Sequence, residues 1–166
     1  GSTGFADGVK KVPCAALSAV DADFLHDALQ KSPSLQFKMI MNCKMLDSVQ
    51  SYNVIAEIRG TQLPNEIIVV GGHLDSWDLA TGAIDNGIGS FSVLDMARTF
   101  AALNLRPTRT VEFVLFMGEE EGLLGSKAYI EAAKKDKSID QIRYMFNYDM
   151  TNDPTGYSSS TEVSET

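Results

Sequence analysis

Basic residues, histidine and cysteine are scarce in this 166-residue chain: 14 Lys and Arg stand against 22 Asp and Glu, beside two His and two Cys. The resulting formal charge of -8 argues against nucleic acid or an anionic membrane as the main partner, because both select basic patches. Cys14 and Cys43 are too few for a disulfide framework and fit no Cys-x-x-Cys metal spacing, so they read as two separate thiols. No apolar run approaches the ~20 residues of a membrane helix, and no basic stretch followed by an apolar one opens the chain; membrane insertion is not expected. Gly1 and Ser2 read as a tag remnant, with the native start upstream. The composition that remains, 44% hydrophobic and 22% charged, is that of a globular protein with one sizeable core.

Periodicity predicts the elements. Asp21 to Gln30 has an acidic start and Ala22, Leu25 and Leu29 at helical spacing. "LQFKMIMNCKM" alternates Phe37, Met39, Met41 and Cys43 against mostly polar neighbours, the pattern of a half-buried strand. These first 45 or so residues form a small unit, closed by the polar joint "LDSVQSYN". "NVIAEIRG" and "EIIVVGG" then read as strands of an antiparallel hairpin around Leu63, Pro64 and Asn65. Ile88 to Leu103 is helical by period, and "RTVEFVLFMG" is the near-continuous apolar strand of a sheet covered on both faces. A helix over Gly125 to Lys135 and a strand in "IRYMFNYDM" complete an α/β layered order. "SSSTEVSET" reads as a disordered tail.

One stretch carries the chemistry. "GGHLDSWDLATGAIDNGIGS", Gly71 to Ser90, puts one of the two histidines and three aspartates directly after the apolar run Ile67 to Val70. The next predicted strand runs out into Glu119, Glu120 and Glu121, and the last into Asp149. The carboxyl ends of parallel strands line the crevice where α/β sheets bind ligands. So many carboxylates in one crevice repel one another unless a cation lies among them. Imidazole with carboxylates suits zinc and its first-row neighbours, whereas calcium or magnesium calls for oxygen alone. His73, Asp85 and Asp149 could supply the three protein ligands of a catalytic zinc. Asp75 has the spacing to accept the other imidazole N–H and set the tautomer. Of the adjacent Glu119 and Glu120, one can bind metal while the other takes a proton from water, the division of labour of metal-assisted hydrolysis. Taken alone, His73 could cap a strand, Asp85 could serve a turn, and the glutamates could begin the following helix; only their convergence favours a site. No dinucleotide fingerprint, P-loop or GxSxG elbow competes.

"GGHLDSWD", "GAIDNGIG", "FMGEEEGLLGS" and "NYDMTN", in this order, resemble the zinc exopeptidases of the bacterial leucyl aminopeptidase and plasma glutamate carboxypeptidase (carboxypeptidase Q) group, over roughly residues 51–152. The resemblance implies a three-layer α/β/α sandwich with a mixed central sheet, present in part over residues 46–157 and preceded in residues 1–45 by the closing part of a protease-associated module, with residues 158–166 as tail. It implies a dinuclear zinc site: His73 and Asp149 on one ion, Asp85 bridging, Glu120 on the other, Glu119 as general base and Asp75 behind His73. It also implies a cis peptide bond after Asp85, a peptide or dipeptide substrate, and a secreted or periplasmic setting. The family takes one further zinc-binding histidine from a later segment, and no histidine follows His73 here. The chain is therefore expected to be the front part of a peptidase, completed by a missing C-terminal segment or by a second copy covering the open sheet edge. The rivals are an inactive scaffold or binding module of the same fold, a one-zinc acyltransferase or cyclase, and a structural cation site.

Overall fold

The computed structural model describes residues 12–44 and 46–150, which divide into two compact units, one ending at Val49 and the other starting at Gln50. The first holds α1 (Ala19–Lys31), whose start is set by Ser18: its hydroxyl accepts from the Asp21 N–H at 3.1 Å, the usual remedy for an orphan donor in a first turn. The helix ends before Pro33, which disfavours helical backbone in the residue ahead of it. The strand expected over residues 35–45 does not form within 35–44, and residue 45 lies outside the described residues. Alternation marks a face, but a strand also needs a neighbour for its N–H and C=O groups, and the described residues of this unit supply only a helix.

The second unit is built on a four-stranded mixed sheet of β1 (Val54–Ile58), β2 (Leu63–His73), β3 (Arg109–Phe116) and β4 (Ile142–Asn147), in the order β1-β3-β2-β4. β2 runs parallel to both β3 and β4, while β1 is antiparallel to β3. The expected hairpin of β1 with β2 is therefore corrected: β3 lies between them. After β1 the chain crosses the start of β3, where the Gly60 N–H donates to Thr110 Oγ1 at 3.0 Å and the Thr61 N–H to the Pro107 carbonyl at 2.9 Å. That crossing leads β2 to the other side of β3.

Period-two alternation divides the core. Ile67, Val69, Val114 and Phe116 face one way, against Tyr129 of α3 (Leu124–Asp136); Val70, Val111 and Phe113 face the other, against Val93, Met96, Ala97 and Phe100 of α2 (Gly89–Ala102). Edge-to-face pairs Phe116–Tyr129 and Phe100–Phe113, each with centroids 5.7 Å apart, close the two layers. The result is the expected α/β/α sandwich. Because both faces of β3 are covered, its sequence is apolar nearly throughout. No helix among the described residues is long and apolar enough to cross a membrane. The predicted tail, residues 158–166, lies outside the described residues.

Candidate metal centre

β2, β3 and β4 are mutually parallel through β2, so their carboxyl ends open on one edge of the sheet. β2 ends at His73, 3% exposed and the last of five successive buried residues of the strand, and β4 ends two residues before Asp149. Asp85 comes from the connection between β2 and α2, a bent turn over Ala83–Ile88. Gly82 opens that turn in the left-handed region (φ 64), which costs a glycine little. Asp85 and Asn86 depart from helical geometry inside it, and the peptide bond joining them is cis.

The ligand atoms of His73, Asp85 and Asp149 all lie within 4.8 Å of one another. His73 Nε2 is 3.0 Å from Asp85 Oδ1 and 3.6 Å from Asp149 Oδ1. On the other side of the ring, Nδ1 lies 3.0 Å from the backbone carbonyl of Asp75. Donation from Nδ1 to that carbonyl leaves the Nε2 lone pair facing the two aspartates. Burial alone would lower the His73 pKa, but the negative charges of Asp149, Glu119 and Asp75 and the Asp75 carbonyl outweigh it and hold the imidazole above its usual value.

Asp75 behaves differently from the sequence expectation. Its carboxylate is 3.7 Å from Nδ1, too far for the hydrogen bond that its carbonyl makes instead. The two carboxylate oxygens are turned toward the loop after β3, accepting from the Glu119 N–H at 3.0 Å and the Glu120 N–H at 3.1 Å. One residue thus braces the histidine through its backbone and the glutamate pair through its side chain.

Glu119 reaches the same cleft as His73 and Asp149, a space of about 160 Å³ whose remaining walls include Phe116, Leu123 and Met145. Glu120 does not line that space, and its Oε1 is buried with no hydrogen-bond partner among the described residues. Burial first, then the charges of Asp85 and Glu119, push its carboxyl above the ordinary range. A buried carboxylate oxygen without a donor is costly, and a cation shared with Asp85 is the kind of partner it calls for. Glu121 is exposed, as a solvated residue ahead of α3 would be. All six residues named from sequence therefore gather around this edge.

Two residues that matter to the geometry were missed. Asn86, 2% exposed, and Ser90 both hold the His73 carbonyl, and Asn86 bonds the segment after β4 as well. In sequence, "DNG" looks like an ordinary turn. No spacing or periodicity marks either residue, since their partners lie on segments distant in the chain.

The model of peptidase family M28 matches residues 53–165. Carboxypeptidase Q of Mus musculus is 36% identical over 134 residues, covering 81% of this chain and 28% of the relative. Leucine aminopeptidase 2 of Trichophyton equinum is 31% identical over 146 residues, covering 87% of this chain and 28% of the relative. Among solved structures, a peptidase M28 precursor from Shewanella amazonensis SB2B superposes with a TM-score of 0.73 at 33% identity, over 87% of this chain and 32% of the other. An aminopeptidase from Aneurinibacillus sp. strain AM-1 superposes with a TM-score of 0.54 at 36% identity, over 59% of this chain and 24% of the other. The chain thus spans about a quarter to a third of the length of these relatives.

Proposed function

The chain belongs to peptidase family M28, and from that premise we propose that it carries the ligand-bearing part of a zinc-dependent exopeptidase, preceded by the end of a protease-associated module. The observation that carries the reading is the convergence of His73, Asp85 and Asp149 within 4.8 Å, with Glu119 on the same cleft. The donor set fits zinc: one imidazole whose far nitrogen is already committed to a carbonyl, and two carboxylates from separate loops. His73, Asp85 and Asp149 would hold one ion, and Asp85 with the orphaned Glu120 oxygen would contribute to a second. When bound, such ions lower the pKa of water toward neutrality and polarise a scissile carbonyl.

The protein's own residues do the rest. Glu119, braced through its N–H by Asp75, accepts the proton of the attacking water and returns it to the departing amine. Asp75 keeps the His73 ring turned so that Nε2 faces the aspartates. Phe116, Leu123 and Met145 give the cleft an apolar wall for a substrate side chain to lie against. The substrate is a peptide or dipeptide losing a terminal residue, in keeping with relatives named as a carboxypeptidase and as an aminopeptidase.

Elemental analysis of protein purified without chelator tests the site, with Asp85→Ala as control. One to two zincs per chain, lost in the control, are expected; equal metal in both overturns the assignment. Hydrolysis of free and end-blocked dipeptides then tests the chemistry. Glu119→Gln is expected to keep its zinc and to lose about 10²–10⁴-fold in rate; an unchanged rate removes Glu119 from the reaction.

A further inference from the structure

We propose that Asn86 is the positioning residue of the metal centre, a buried amide that sets the spacing between the candidate ligands without touching the ion. The proposal rests on the reading of His73, Asp85 and Asp149 as zinc ligands. An asparagine amide has two donor hydrogens and two acceptor lone pairs, and all four are engaged here. Nδ2 donates to the Tyr148 carbonyl at 2.8 Å and, at a longer 3.5 Å, to the His73 carbonyl. Oδ1 accepts from the Gly89 N–H at 3.1 Å and the Met150 N–H at 3.2 Å.

The identity of the partners makes this more than a buried polar group with its bonds satisfied. Asn86 follows Asp85 in the chain. One of its contacts is His73 itself. Two others, Tyr148 and Met150, flank Asp149 on either side. A single side chain therefore joins the backbones that carry all three candidate ligands, and it anchors the join to the start of α2 through Gly89. For Asp149, which follows β4, Asn86 adds to the last backbone bond of that strand to β2, from the Tyr148 N–H to the Gly71 carbonyl at 2.8 Å. A metal site needs its donors placed to a few tenths of an ångström. Four hydrogen bonds in a water-excluded setting supply that stiffness.

A purely structural residue would show the same burial, so the test must separate the two roles. Asn86→Ser does so, because a serine hydroxyl can still accept from the N–H three residues on, as serines at helix starts do, but is too short to reach Tyr148 and Met150. The full chain is treated with chelator, and zinc affinity is measured by competition with a chromophoric chelator, beside the thermal transition of the metal-free protein. Asn86→Ser is expected to unfold cooperatively within a few degrees of wild type while its zinc Kd rises at least ten-fold. Tyr129→Phe, outside the site, is expected to leave that Kd unchanged. Zinc binding by Asn86→Ser within two-fold of wild type, with Asp85→Ala unable to bind, would overturn the positioning role alone. Loss of a cooperative transition in Asn86→Ser would assign the residue to the fold and overturn it too. Undiminished zinc in Asp85→Ala would instead sink the reading of the site, and this proposal with it.

Discussion

Replacing Gly89 by alanine should destabilise the protein although every local rule favours the change. Gly89 begins α2 with φ -66 and ψ -52, ordinary helical values that any residue adopts. On propensity alone, alanine there should gain about 1 kcal/mol. The added Cβ, however, would lie inside 3.0 Å of Asn86 Oδ1, Asn86 Cγ and the Tyr148 carbonyl oxygen. None of these is the free end of a flexible side chain: one belongs to backbone and two to an amide held by four bonds. The start of α2 must then move away from the end of β4. Overpacking costs about 1–3 kcal/mol, and loss of two Asn86 hydrogen bonds adds roughly 1 kcal/mol each. After the propensity gain, the net loss is about 2–4 kcal/mol. For a domain of this size that lowers Tm by ~10–20 °C, read by circular dichroism on chelator-treated protein. Zinc affinity should fall as well, because Tyr148 and Asp149 are displaced together. An unchanged or raised Tm would refute the close approach of α2 to β4, and with it the geometry assigned to Asn86.

Further outcomes follow from the same packing and charge arrangement. Metal-free protein should lose stability as pH rises above the ordinary histidine value of about 6.5. His73 has a folded pKa above its unfolded value, so its contribution is complete below that value and vanishes as pH passes the folded one. Glu120, also raised, acts in the same direction as it ionises; a Tm that climbs with pH under chelator would contradict both. Zinc should reverse the slope by giving those carboxylates a cation. Tyr129→Phe keeps the edge-to-face contact with Phe116 but removes the 2.6 Å hydrogen bond to Glu112 Oε2, and should cost about 1–2 kcal/mol in urea unfolding. A neutral result would mean that water replaces the hydroxyl without loss. Val114→Ala, at a side chain with no exposure in the middle of β3, should cost about 2–3 kcal/mol with zinc affinity unchanged; a cost below 1 kcal/mol would show that the sheet relaxes into the space.

The sequence by itself determined the parts whose signal is local. β2, β3 and β4 are apolar runs ended by glycine or acid, α2 and α3 carry helical stripes, and the acids after each strand stand out because their neighbours are so apolar. Once the strands are known to be parallel, His73, Asp85, Glu119, Glu120 and Asp149 must meet at one edge. Tertiary structure decided everything that depends on which backbone faces which. Alternation in β1 marks a buried face but not a partner, so β3 rather than β2 could be settled only by the path across Thr110 and Pro107. The same alternation over residues 35–44 produced no strand for want of a neighbour. Spacing brought Asp75 near His73, yet the orphan N–H groups of Glu119 and Glu120 claimed its carboxylate and left the carbonyl to the imidazole. Asn86 had no signal as a positioning group because its partners lie as far as 64 positions away. A hydrogen bond between segments distant in sequence has no periodicity to betray it; it exists only once the sheet has brought those segments together.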